Sequence, residues 1–254
     1  TRINDTGKMK IGWWDVSNYD YKSKGAPGLI DLVYLFEHSS NIASIKIAQM
    51  MSSQEFHDSL QLFNIGQKTG IDLPGESAGL LPNPKHWDTA THATMGYGYG
   101  TSTTVIQMVS AINAIANGGV WVTPHVIKYS KEELEQKVAR RRVLEEQDAK
   151  DITNLLVQSM ERGKNVAKLD DYYIAAKTGT SRKLNANGTG YSNKLYTSMI
   201  GYFPATNPKV VVYGVVDSPS GEGIWGSTVA APVFKEIATE LVRIMHLNPD
   251  KVKK

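Results

Sequence analysis

Tyr172-Tyr-Ile-Ala-Ala-Lys-Thr-Gly-Thr-Ser181 is the stretch where the apolar pattern of the chain changes from a helical to an extended period. Its large residues are aromatic or β-branched, and the rest are small or hydroxylated, as a strand requires. Two further runs of the same kind follow, Leu195–Pro204 and Lys209–Asp217, separated by turn residues. Ala231–His246 then reads as a closing amphipathic helix. Upstream, Leu32, Leu35, Phe36, Ile42, Ile45, Ile47 and Met50 recur at helical spacing over about 29–51. Further helices are predicted over Ser53–Phe63 with Ser53 as cap, Thr104–Asn117 with a cap between Thr101 and Thr103, and Glu145–Glu161 ending at Gly163. Residues 1–28 read as surface loops anchored by Trp13 and Trp14, Gly66–Pro84 as Gly/Pro-punctuated loop, and 131–142 as a solvated charge run. Helices followed by antiparallel strands indicate an α+β fold or an open sheet with helical cover. Its mostly helical part covers about 29–165, and its strands and closing helix about 170–247.

The remaining composition narrows the chemistry. The 254 residues are 41% hydrophobic, which excludes disorder, and a net charge of +3 is too mild for a nucleic-acid partner. The absence of cysteine excludes a disulfide scaffold, a thiol nucleophile and a Cys-ligated zinc. The six histidines show no ligand spacing. No apolar run approaches a membrane span. The chain starts at Thr1 without a signal peptide and reads as part of a longer protein.

Three short patterns could carry serine chemistry. Gly75-Glu76-Ser77-Ala78-Gly79 matches a nucleophile elbow, but Pro74, Pro82 and Pro84 forbid the helix that an elbow needs. Lys-Thr-Gly occurs twice, in a loop at Lys68–Gly70 and at the end of a strand pattern at Lys177–Gly179. At the second, small residues at 175, 176 and 179 let a ligand approach the backbone. A lysine beside the hydroxyls of Thr178 and Thr180 there suits a carboxylate. Ser39-Ser40-Asn41 interrupts an apolar helical stretch, and polar residues in such a place require partners.

An S-x-N followed by K-T-G-T resembles the penicillin-binding proteins and serine β-lactamases. Ser39-Ser-Asn-Ile-Ala, Gly66-Gln-Lys-Thr-Gly-Ile-Asp-Leu-Pro-Gly-Glu76, Ile115-Ala-Asn-Gly-Gly119, Ala176-Lys-Thr-Gly-Thr180, Ile200-Gly-Tyr-Phe-Pro-Ala205 and Thr228-Val-Ala-Ala-Pro-Val-Phe-Lys235 narrow it to the class B penicillin-binding proteins. The similarity runs from about Ile3 to Ile244 and makes the elbow pattern and the first Lys-Thr-Gly parts of one family loop. Two features depart from the family. Thr103-Thr104 stands where Thr-Pro is usual, and no serine is followed three places on by lysine, so the family's S-x-x-K is absent. The resemblance therefore implies the later part of a β-lactamase/transpeptidase-like domain, incomplete at its N-terminus.

What the resemblance implies for function is D,D-transpeptidation of peptidoglycan stem peptides ending in D-Ala-D-Ala, with β-lactams as mimics and with no metal or cofactor. Ser39 would relay a proton, and Asn41 would hydrogen-bond the substrate amide or the absent lysine. Lys177, Thr178 and Thr180 would bind the substrate carboxylate, and the Thr180 backbone N–H would be one oxyanion donor. Implied partners are the absent N-terminal segment and a cell-wall glycosyltransferase, at the extracytoplasmic face of a bacterial plasma membrane. Two other readings stay open: a non-catalytic half-domain acting as a binding module, and a β-lactamase or carboxypeptidase on the same fold.

Overall fold

The computed structural model describes residues 1–163, 165–185, 187 and 189–251. The chain forms two compact units, Thr1–Ala111 with Val120–Val143, and Ile112–Gly119 with Leu144–Lys254. This division falls elsewhere than the 165–170 boundary read from the sequence, because the helix over 146–162 packs with the strands that follow it.

In the first unit the segment read as loop is largely strand. β1 (Arg2–Asp5) pairs antiparallel with β4 (Gly28–Asp31), and β2 (Lys8–Ile11) forms a hairpin with β3 (Trp14–Ser17). A single turn, α1 (Tyr21–Lys24), lies between β3 and β4. Trp13 and Trp14 are no anchors: at the hairpin tip they are 94% and 69% exposed, while Ile3, Ile11 and Ile30 supply the buried contacts. Short strands of this kind carry too few alternating positions to stand out in sequence.

The helix expected over 29–51 is two helices, α2 (Leu32–His38) and α3 (Asn41–Ala48). They are separated by Ser39 in the left-handed region (φ 51, ψ 50) and by Ser40, whose hydroxyl caps α3 at the Ala43 amide. The helix α4 (Ser53–Leu62) is capped by Ser52 rather than Ser53, because Ser52 and Glu55 satisfy each other's amides reciprocally. α5 (Thr89–Gly96) was not legible in the sequence. It crosses α3 closely at Gly96, where an added Cβ would lie 2.7 Å from the Ala48 Cβ.

α6 (Val105–Ala116) begins one residue later than expected and is capped by Thr104 itself, not by 101–103. The Thr104 hydroxyl accepts from the Gln107 amide, and the Thr104 amide donates to Gln107 Oε1. A proline at 104 has no N–H for the second bond, so this departure from the family pattern contributes a cap. Gln107 is fully buried, and its Nε2 donates to the carbonyls of Asn64, Gln67 and Ala78, tying down the loop that follows α4. In that loop Glu76 accepts from the Thr69 amide and hydroxyl (each 2.6 Å) and from the Gly70 amide. The elbow pattern and the first Lys-Thr-Gly therefore meet as one structural clamp.

The charge run at 131–142 is only partly solvated. α7 (Lys131–Lys137) is exposed, but β6 (Arg140–Arg142) pairs with β5 (Val120–Val122). Arg141 lies 4.1 Å over the buried Trp121 ring and donates to the Leu62 carbonyl.

The second unit is built on an antiparallel sheet of β7 (Ala175–Leu184), β8 (Tyr191–Phe203) and β9 (Val210–Asp217), in that order. α8 (Glu146–Arg162) packs on β7, and α9 (Ala231–Ile244) packs on β8 and β9. Its core joins Met160, Ile174, Ala176, Met199, Phe203, Val212, Phe234 and Ala238. β7 starts at Ala175, later than the sequence reading, because Tyr172 and Tyr173 are tied elsewhere. The Tyr172 hydroxyl donates to the Leu247 carbonyl, and the Tyr173 amide donates to the Asp250 carboxylate. Among the described residues, no helix is long and apolar enough to cross a membrane.

Candidate active site

Strand period decides how the Lys-Thr-Gly-Thr residues are presented. Thr178 pairs with Met199, Gly179 with Ser198 and Thr180 with Thr197. Thr178 and Thr180 therefore lie on the face that carries Ala176, Met199, Phe203 and Val212, while the Cβ of Lys177 starts from the opposite face. The Lys177 ammonium returns to the strand and donates to the Thr178 carbonyl at 3.0 Å. Among the described residues β7 is an outer strand of this sheet and pairs with β8, so alternate amides along it face away from the ladder.

A π-turn at Gly226–Ala230 leads into α9 and lies against these residues. The Gly226 amide donates to Thr180 Oγ1 at 2.9 Å. The Thr180 hydroxyl thus accepts from one neighbouring amide and keeps its own proton for a further partner. Only glycine fits at 226: an added Cβ would lie 2.6 Å from the Gly179 carbonyl oxygen and 2.8 Å from that of Ser198. Burial lowers the Lys177 ammonium from 10.5 to about 8. It is mostly charged at pH 7 and loses its proton in the range just above.

The serine–asparagine motif lies in the first unit and is not helical throughout. Ser39 is exposed at the C-terminal end of α2, and Asn41 is the first residue of α3. Asn41 Nδ2 donates to the Ser17 carbonyl at 2.9 Å, which fixes the amide and presents Oδ1 as an acceptor. Ser40, which the sequence reading passed over, is buried, and its hydroxyl donates to Asp5 Oδ2 at 2.5 Å. Asp5 and Asn18 were missed as well. The available signal was a carboxylate at an inward register of β1, which emerges only once the strand is known. Gly226 was missed too, although it stands two residues before the Thr228–Lys235 motif.

The α+β fold carries a Lys-Thr-Gly-Thr strand at its sheet edge and a Ser-x-Asn turn between two helices, the two motifs by which the sequence resembles the penicillin-binding proteins and serine β-lactamases. The family model described as penicillin binding protein transpeptidase domain matches residues 1–239, and the chain belongs to this family, as a transpeptidase domain of the class B penicillin-binding proteins. It is 32% identical over 224 residues to the probable peptidoglycan D,D-transpeptidase PenA of Neisseria gonorrhoeae, covering 87% of this chain and 38% of that protein. It is 32% identical over 237 residues to the stage V sporulation protein D of Bacillus subtilis, covering 90% of this chain and 36% of that protein. The chain thus spans well under half the length of these two relatives. The transpeptidase domain of penicillin-binding protein 3 from Burkholderia pseudomallei superposes with a TM-score of 0.87 at 28% identity, covering 99% of this chain and 74% of that one.

Proposed function

We propose that this chain works in a peptidoglycan D,D-transpeptidase whose acylated serine and lysine base are supplied from outside its residues. The observation that carries the reading is the Thr180 hydroxyl, fixed by the Gly226 amide on the same strand as the Lys177 ammonium. That pairing suits a C-terminal carboxylate, with the Thr178 hydroxyl as a further donor, and the family relationship supports it.

The substrate in this reading is a stem peptide ending in D-Ala-D-Ala. The serine oxygen attacks the penultimate D-Ala carbonyl, and its proton passes by way of the Ser39 hydroxyl to the nitrogen of the departing D-Ala. Asn41 Oδ1 accepts from a substrate amide or from the lysine base. The Thr180 backbone N–H is one donor to the oxyanion. An amine of a second stem peptide then attacks the acyl carbon, the serine leaves with its proton restored, and a cross-link remains. β-Lactams present a carboxylate to the same groups and stop at the acyl-enzyme. Such a substrate places the domain at the extracytoplasmic face of the plasma membrane, held by an anchor outside these residues, beside a glycosyltransferase of cell-wall synthesis.

Acylation of the full-length protein by a fluorescent penicillin tests this. Thr180→Val removes one hydrogen bond to an anion, about 1.5–3 kcal/mol, and lowers the acylation rate roughly 10- to 100-fold. An unchanged rate overturns the carboxylate role. A second arm uses residues 1–254 alone, which are expected to form no adduct. A stable acyl adduct on any serine of this chain, detected by mass spectrometry, refutes the external nucleophile.

A further inference from the structure

Asp5 is fully buried at the end of β1, and the groups around its carboxylate are neutral donors. The Gly7 amide donates to Oδ1 at 2.7 Å, Asn18 Nδ2 donates to both oxygens at 3.0 and 2.8 Å, and the Ser40 hydroxyl donates to Oδ2 at 2.5 Å. A buried carboxyl group needs such partners, and here they tie the end of β1 to the start of α3. The particular effect of this contact falls on Ser40. With its proton drawn to Asp5, Ser40 Oγ is the stronger acceptor for the Ala43 amide at 3.0 Å. Asn18 Oδ1 accepts the neighbouring Ile42 amide at 3.2 Å. The first turn of α3 is thereby bolted to β1 and to the residue after β3.

Immediately before that turn, the Ser39 and Ser40 amides both donate to the Leu35 carbonyl and close α2. Ser39 is caught between two fixed helix ends. It adopts a left-handed conformation that a residue with a Cβ takes only when its surroundings impose it. We propose that Asp5, acting through Ser40, is the positioning residue for the Ser39 hydroxyl. This inference rests on the reading of Ser39 as a proton relay.

The test is a double-mutant cycle in the full-length protein, read as the acylation rate with a fluorescent penicillin alongside the melting temperature. S40A and D5N are each expected to lower acylation about 10- to 100-fold, the scale of a misplaced reacting group. S40T, which keeps the hydroxyl, restores most of the rate. S39A also lowers the rate, and S40A added to S39A lowers it by less than about threefold more, because the group that Ser40 positions is already gone. A merely structural role would leave the S40A loss undiminished in the S39A background, and that result overturns the proposal, as does an S40A rate equal to the parent's. If S40A melts below the assay temperature, S40C, which keeps the volume with a weaker donor, carries the same cycle. An S39A rate equal to the parent's removes the relay role, and this inference with it. A lowered S39A rate with undiminished S40A loss removes the positioning role alone.

Discussion

Lys177→Met separates what the lysine does for the fold from what it does for the substrate. Burial brings the ammonium from 10.5 down to about 8, so below pH 8 the folded protein holds a charge in an environment that disfavours it. The difference corresponds to about 3 kcal/mol of lost stability at neutral pH. Between pH 8 and 10.5 the unfolded chain binds the proton that the folded chain has released. The parent therefore gains stability with rising pH across that window and has recovered the whole deficit at its upper end. Methionine fills a similar volume without the charge but loses the bond to the Thr178 carbonyl, which offsets about 1 kcal/mol. The variant should be more stable than the parent by about 1–3 kcal/mol at pH 7. The advantage should shrink towards zero or reverse at pH 10. Urea unfolding at the two pH values, followed through the fluorescence of the five tryptophans, measures both. The same variant should acylate with penicillin at least tenfold more slowly, for want of a cation beside the carboxylate. A variant less stable than the parent at pH 7, or a gap of equal size at both pH values, refutes the burial argument. Unchanged acylation refutes the binding role.

Other perturbations test the surroundings. Gly226→Ala drives a methyl into the Gly179 and Ser198 carbonyls, so it should destabilise by about 1–3 kcal/mol and slow acylation by disturbing the Thr180 hydroxyl. A melting temperature equal to the parent's would contradict the close approach. Burial pushes the Glu76 carboxyl up, but hydrogen bonds from Thr69 and Gly70 outweigh it and hold the group below the usual carboxylate range. Its stability contribution is present above the ordinary carboxylate pKa and lost as pH falls through the depressed one. Glu76→Gln should cost about 1 kcal/mol at pH 7 and less in acid, whereas equal losses in urea melts at pH 7 and pH 3 would remove the clamp. β9 pairs only with β8 among the described residues and exposes Val215. Val215→Lys should reduce self-association without altering the unfolding midpoint, because charge blunts an open strand edge. Size-exclusion chromatography at rising concentration checks it, and an unaltered elution profile counts against an exposed sticky edge.

The sequence by itself determined the elements whose pattern is long enough to repeat. α8, α9 and the three strands of the main sheet are each several periods long, and their type survives any change of neighbours. It also determined the chemistry-bearing motifs. Their residues are contiguous, so Lys177–Thr180 and Ser39–Asn41 can be read without knowing what surrounds them. Everything that depends on a partner distant in sequence was decided by the tertiary structure. Trp13 and Trp14 promised to be anchors on composition, but burial is settled by the other side of the contact, and there Ile3, Ile11 and Ile30 occupy the core. Ser39-Ser40-Asn41 shows in the sequence as a polar interruption, but not as a break between two helices. What holds that break in place includes Asp5, 35 residues upstream, which accepts from the Ser40 hydroxyl. The Thr180 hydroxyl is fixed by the Gly226 amide, 46 residues away, which donates to its oxygen. A motif names the groups that can react, whereas a hydroxyl's direction and an ammonium's charge are set by the atoms within a few ångströms, and those come from elsewhere in the chain.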